Sequence, residues 1–473
     1  MNVPVDLVLR GGTIVNATER AVADVAISDG SIVAIGDTSL MPPARSVVDV
    51  TGMHLIPGAI DVHVHFRVPG YGHKEDWETG TAAAAMGGVT TVFEMPNTYP
   101  PTRSREELLQ KKELAGKACV DYGIYGLLAE DNIGELEELI DGGVNAFKCF
   151  MGNTFGNLPS PCTGAMLEGF EIIAPSGLRI SLHAEEATIM AWRQQRLEAA
   201  GCNAPLDHIS ARPAVAAVEA VSRAAILAEW TGARIHVLHI SSKAELTPLA
   251  EAKRRGVDIT GETCPCYLLL DSSDYKRLGS IIRVNPPVRE ASDKAAIWDA
   301  VQSGLIDMIA TDHAPHLPEE KNKDRIWDAD CGFPGVETQM PLMLTQVASG
   351  RLSLEAYVAR SSANPAQSFG LWPFKGRIGV GAHADIAILD LDRRETVAAE
   401  RLHSRGKITP FEGVETVGAP VHTLVRGRFV QRDRMLVEGV SGHGRQVTSI
   451  QSMPSPKLCN QDLTLRALTG SQS

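Results

Sequence analysis

The run Leu55-Ile-Pro-Gly-Ala-Ile-Asp61-Val-His63-Val-His65-Phe66-Arg67 decides how the rest of the chain is read. In a strand, residues two apart point to the same side, so His63 and His65 face one direction together. Two imidazoles turned inward at the C-terminal end of a buried strand are costly unless they bind something. Seven more apolar runs follow: Thr90–Met95, Val120–Leu127, Ala146–Met151, Arg179–Ala184, Arg234–Ile240, Asp258–Cys264 and Asp307–Asp312. Helix-like segments alternate with them. Eight strand–helix repeats within residues 53–375 predict an α/β fold, a (β/α)8 TIM-type barrel.

Working outward, Ser104–Ala115 has helical apolar spacing and two candidate caps, Thr102 and Ser104. Arg212–Thr231 and Ser292–Ser303 behave alike. The flanks change character. Asp6–Leu9, Thr13–Asn16, Ala23–Ser28 and Ser31–Ile35 read as short strands, and similar ones return at Ala384–Asp390 and His422–Gln431. The expectation is one small β-sandwich domain built from both chain ends, residues 1–52 and 376–440. Residues 441–473 are rich in Ser, Gln and Gly and read as an irregular tail or an arm that docks on a neighbouring subunit.

Composition bounds the function. The 473 residues are 44% hydrophobic and 22% charged, an ordinary globular mixture that excludes a disordered or fibrous chain. Lys plus Arg is 45 and Asp plus Glu is 57, for a net charge of −12. Such a surface repels nucleic acid and anionic membrane, and neither is expected as a partner. No segment approaches the ~18 apolar residues of a membrane span. The eight cysteines are dispersed, with no signal peptide before them, which suggests reduced thiols and a cytoplasmic protein. Cys264-Pro-Cys266 resembles a metal pair, but it lacks a second pair and reads as incidental.

Chemistry-bearing residues recur at the strand ends. Lys148 stands among apolar neighbours in Ala-Phe-Lys-Cys-Phe-Met. His183 closes Ile-Ser-Leu-His, and His239 closes Ile-His-Val-Leu-His. Asp312 closes Met-Ile-Ala-Thr-Asp. These fall at the C-terminal ends of runs one, four, five, six and eight, the face where barrel active sites lie. His236 is out of phase with His239 and reads as a non-ligand.

Taken together, these motifs resemble the cyclic amidohydrolases, the group that holds dihydroorotase, allantoinase, hydantoinase and dihydropyrimidinase. The likeness covers about residues 5–440 and includes the return stretch Gly376–Asp385. It implies two divalent metals, zinc by preference, bridged by a carbamate that CO2 forms on Lys148. It places His63, His65 and Asp312 on one metal and His183 and His239 on the other. Asp312 is then the catalytic proton carrier, which takes a proton from the attacking water and passes it to the leaving nitrogen of a small cyclic amide. A homo-oligomer, dimer or tetramer, is also implied.

The metal set is common to the group, so the ring must be read from other residues. Arg67, Asn97 and His316 match the carboxylate-binding trio of dihydroorotases, and Asn285 matches a position that hydrogen-bonds the ring. Asn153 stands five residues after Lys148, where D-hydantoinases and dihydropyrimidinases carry Tyr. The segment His73-Lys74-Glu75 also resembles dihydroorotases. Against these, Lys148 stands where many dihydroorotases of this motif pattern use Asp, Cys266 stands where His is common in the relatives, and Trp327, Trp372 and Arg405–Gly413 resemble hydantoinase and allantoinase chains more. The expectation is dihydroorotase, with allantoinase or hydantoinase as the alternative and a non-catalytic scaffold as a remote third.

Overall fold

The computed structural model describes residues 4–156 and 158–449. Eight strands form the barrel: β1 (Ala59–Val64), β2 (Val89–Glu94), β3 (Asp121–Leu128), β4 (Ala146–Phe150), β5 (Arg179–His183), β6 (Arg234–Val237), β7 (Ile259–Thr263) and β8 (Met308–Ile309). Each pairs in parallel with the next. A parallel bridge from Val64 to His313 closes the circle, with His65 N–H donating to His313 O at 2.7 Å. The strands read as near-continuous apolar runs because a parallel sheet is covered on both faces. Outside, they pack against the helices. Inside, below the mouth, Ile60, Val62, Phe93, Tyr125, Met308 and Phe369 share one core.

The helices keep the sequence periodicity. Arg105–Leu114 starts from Ser104, whose side chain accepts from Glu107 N–H; of the two candidate caps, it is the one used. Ala214–Thr231 begins after Pro213, and Ala291–Ser303 ends on Gly304 in the left-handed region.

The chain ends form a nine-stranded mixed sheet. Its outermost N-terminal strand, Ser31–Gly36, returns to the chain ahead of Ile386–Thr396 through a bridge from Ser31 to His383, so the sheet curls around its own apolar core of Leu9, Val25, Leu55, Ile386 and Leu424. Two strand expectations change and one strand is added. The run Leu55–Phe66 is two strands, not one: His54–Pro57 pairs with Ile386–Leu389 of the curled sheet, and the barrel strand begins only at Ala59. Gly58 makes the passage. A Cβ there would lie 2.2 Å from the Thr90 side chain, so no other residue fits beside β2. His422–Gln431 is a hairpin, Glu415–Val425 with Arg428–Arg432, turned at Arg426 and Gly427, both at positive φ. Ala44–Asp49, mostly exposed and without a strong apolar alternation, is a further strand parallel to Val5–Arg10.

The start of the tail lies against the barrel of its own chain. Tyr122 N–H donates to Arg445 O, and Val447 N–H donates to Tyr122 O, alongside the start of β3. Residues 450–473, with Cys459, lie outside the described residues. Among the described residues no helix is long and apolar enough to cross a membrane.

Candidate metal centre at the barrel mouth

The strand ends bring their imidazoles and one carboxylate together. His63 Nε2 and His65 Nε2 each lie 3.1 Å from Asp312 Oδ1. His183 Nδ1 lies 2.9 Å from His239 Nε2. The rings of His63 and His239 are 5.4 Å apart, and His63, His239 and Asp312 each offer one atom to a common point. The backbone is bent to achieve this. Arg67, His239 and Asp312 all take positive φ, 67°, 38° and 49°, a conformation that non-glycine residues adopt at a cost. The turn at His239 also explains why His236, expected out of phase with it, points inward too: strand alternation stops at Val237.

Electrostatics make the imidazoles ligands rather than cations. Burial lowers the pKa of His63 and His239 well below the usual range and that of His65 to about 4, and Lys148 adds to the depression of all of them and of His183. They are neutral at pH 7, the form that binds metal. Lys148 is fully buried, and burial brings its amine down to about 7 against the pull of Asp312 and Glu262. Its Nζ lies 4.6 Å from the Phe150 ring centroid and has no hydrogen-bond partner among the described residues.

The far side of each imidazole is held where it has a partner. His63 Nδ1–H donates to Glu262 Oε1 at 2.7 Å, and His65 Nδ1–H donates to Asn97 Oδ1 at 2.7 Å. His183 Nε2 is 3.1 Å from Glu185 without hydrogen-bond geometry; burial would raise the pKa of that carboxylate, but Arg212 and His183 hold it at about 2. His239 Nδ1 is buried without a hydrogen-bond partner among the described residues.

The residues expected to hold a substrate carboxylate are placed differently from three free donors. Asn97 spends its carbonyl on His65. Arg67 is fully buried; its Nε donates to Pro315 O at 3.2 Å, its Nη2 is 3.0 Å from His316 Nε2, and its guanidinium lies over the Phe155 ring. His316 is occupied on both nitrogens, with Lys74 Nζ 2.9 Å from Nδ1 and Cys331 O 3.0 Å from Nε2. Lys74 in turn pairs with Glu320 at 2.9 Å and Asp330 at 2.7 Å, so this cluster balances its own charge. Asn285 differs: its Oδ1 is buried and unpaired among the described residues. Cys264 and Cys266 are buried and enter no metal-capable group among the described residues.

Sequence reading missed Glu262, Glu185, Arg212 and Phe155. A Glu inside Thr-Gly-Glu-Thr gives no signal beyond a polar strand position. Lys74 stands out in the sequence only through the motif His73-Lys74-Glu75, because its contact with His316 spans 242 residues.

A closed parallel barrel with four neutral histidines, a carboxylate and a buried lysine at its C-terminal mouth defines a hydrolase of the metal-capable TIM-barrel class. The comparisons with known proteins give the family. The profile of the Amidohydrolase family matches residues 54–430, and the chain belongs to that family. It is 36% identical to an L-hydantoinase of Paenarthrobacter aurescens over 452 residues, 94% of this chain and 98% of the relative. It is 36% identical to an allantoinase of Rubrobacter xylanophilus over 92% of this chain and 96% of the relative. Among solved structures, L-hydantoinase (dihydropyrimidinase) from Arthrobacter aurescens superposes with a TM-score of 0.91 at 35% identity, covering 94% of this chain and all of that one. The chain is a hydrolase of carbon–nitrogen bonds in cyclic amides. These relatives favour the allantoinase or hydantoinase alternative over the dihydroorotase expectation.

Proposed function

We propose that this enzyme opens a hydantoin-type ring, allantoin or a 5-substituted hydantoin, at a centre of two divalent cations, zinc by preference. The observation that carries the hydrolytic part is the convergence of His63, His65, His183, His239 and Asp312 around a buried, unpaired Lys148. The donor set suits zinc, since neutral imidazole and carboxylate are its ligands. We assign His63, His65 and Asp312 to one cation and His183 and His239 to the other. Lys148 would serve both cations as a carbamate, formed when its free amine adds to CO2 and releases one proton; burial brings that amine down to about 7 and so supplies the free form. When bound, the two cations polarise the ring carbonyl and lower the pKa of the attacking water.

The protein's own part is proton handling and orientation. Asp312, beside both Nε2 atoms, takes the proton from the attacking water and hands it to the departing ring nitrogen. That nitrogen stays tethered through the rest of the ring, so the step is reversible. Asn285 offers its unpaired carbonyl to a ring N–H. The preference for an uncharged ring rests on the relatives and on the engagement of Arg67 Nε and Nη2 by Pro315 and His316.

A hydrolysis panel tests this reading. With zinc and bicarbonate supplied, allantoin or a 5-substituted hydantoin should turn over with the highest kcat/KM. A clear preference for dihydroorotate would return the assignment to dihydroorotase. Zinc analysis should find close to two ions per chain, and chelators should abolish turnover. Light scattering checks the expected homo-oligomer.

A further inference from the structure

His236 reads from the sequence as a non-ligand and Glu262 carries no sequence signal, yet both are fully buried inside the barrel, and Glu262 links His236 to His63. Glu262 Oε1 accepts from His63 Nδ1–H at 2.7 Å, and Oε2 accepts from His236 Nε2–H at 3.0 Å. The backbone N–H of His239 also donates to Oε1, at 3.3 Å. His236 is fixed in turn: its Nδ1 is 2.8 Å from Thr260 Oγ1, its neighbour across the β6–β7 pairing, and its ring stands edge-on to Phe369. The hydrogen-bond roles follow in order. The Thr260 hydroxyl donates to His236 Nδ1, which leaves the His236 proton on Nε2 and directed at Glu262. Three N–H groups then converge on one carboxylate, two of them from His63 and His239, which occupy ligand positions.

We propose that Glu262, backed by His236 and Thr260, is a positioning residue that sets the metal affinity of His63. Accepting at Nδ1 fixes the His63 tautomer, so that the Nε2 lone pair faces the cation site next to Asp312. The carboxylate also raises the basicity of that nitrogen. A carboxylate behind the His63 ring would be balanced by a cation in front of it, in an interior that also buries Asp61 and Lys148. The proposal rests on the metal-centre reading above.

Cobalt(II) serves as the probe, with affinity measured by chelator competition and geometry by the visible d–d spectrum. Glu262→Gln keeps an acceptor for His63 and removes the charge. His236 can accept from the new amide by exchanging its tautomer and donating to Thr260 Oγ1, and the melting of the metal-free variant checks that it folds. Its cobalt affinity should fall about 10- to 100-fold, with an altered d–d spectrum. His236→Gln, which leaves Glu262 in place but loosens it, should shift affinity in the same direction by less. Glu262→Asp should recover part of the loss. Thermal melting of the metal-free proteins separates a structural role, which would lower the melting temperature of the variants and leave cobalt affinity untouched. Wild-type affinity and spectrum in E262Q would overturn this inference alone. Failure of the wild type to bind cobalt would overturn the metal-centre reading and this inference with it.

Discussion

Individual side chains divide between those that meet the substrate and those that hold others in place. Asp312→Asn keeps the shape of the carboxylate and removes its basicity, so kcat should drop by about 10²–10⁴ while the fold is retained, as steady-state kinetics and circular dichroism would check. Lys148→Ala removes the bridging position; metal content should fall below two per chain, and added bicarbonate should not restore it. Arg67→Met separates the two ring readings. Hydantoin turnover should stay within about tenfold of wild type, since Arg67 is engaged by Pro315 and His316, whereas an enzyme built for a carboxylated ring would lose far more. The residues on the strand ends were legible because eight apolar runs point at one face. Their partners were not. Asn97 pairs with His65 across 32 residues and Glu262 with His63 across 199, and no spacing rule connects positions that meet only once the barrel closes.

Among the elements, β2 and the helix Arg105–Leu114 are joined by a buried pair, Glu94 with Lys111, whose Nζ also donates to Met95 O at 2.8 Å. Burial raises Glu94 to about 7 and lowers Lys111. Glu94→Gln leaves a buried lysine without its counter-charge and should cost about 3–5 kcal/mol in urea unfolding, whereas the double change Glu94→Leu with Lys111→Met should cost little. At the opposite end of the barrel, Asp258 ties β5 to β6 through Arg179 at 2.8 Å and Arg234 at 2.9 Å. Burial would raise its pKa, but the two guanidinium groups hold it at about 2. A depressed carboxylate stabilises the fold above its unfolded pKa, near 4, and loses that contribution as pH falls toward 2. Asp258→Asn should therefore melt lower than wild type at pH 7, and the gap should narrow below pH 4. Element identity was readable because buried parallel strands are continuous apolar runs. The boundary at Gly58 was not, because Leu55–Pro57 is as apolar as Ala59–Val64 and only the competing partner Ile386–Leu389 draws it away.

Across the whole molecule, the curled sheet and the barrel meet at one buried ionic node. Lys375 Nζ lies 2.7 Å from Asp121 at the start of β3, and it also pairs with Asp385 beside the returning strand. Arg426 pairs with Asp121 from the hairpin turn, and Arg445 N–H donates to Asp121 Oδ1 at 3.0 Å. Asp121→Asn should loosen residues 443–447, seen as faster amide exchange there, with little change in kcat. The sheet also has a history in time. Asn16 and Ile378, joined by a hydrogen bond of 3.0 Å, are 362 residues apart. On a ribosome adding about 5–20 residues per second, the first strands wait roughly 20–70 s for the partners that complete them. Through that interval their unpaired edge is exposed to other nascent chains, and a slower rate of translation lengthens the exposure.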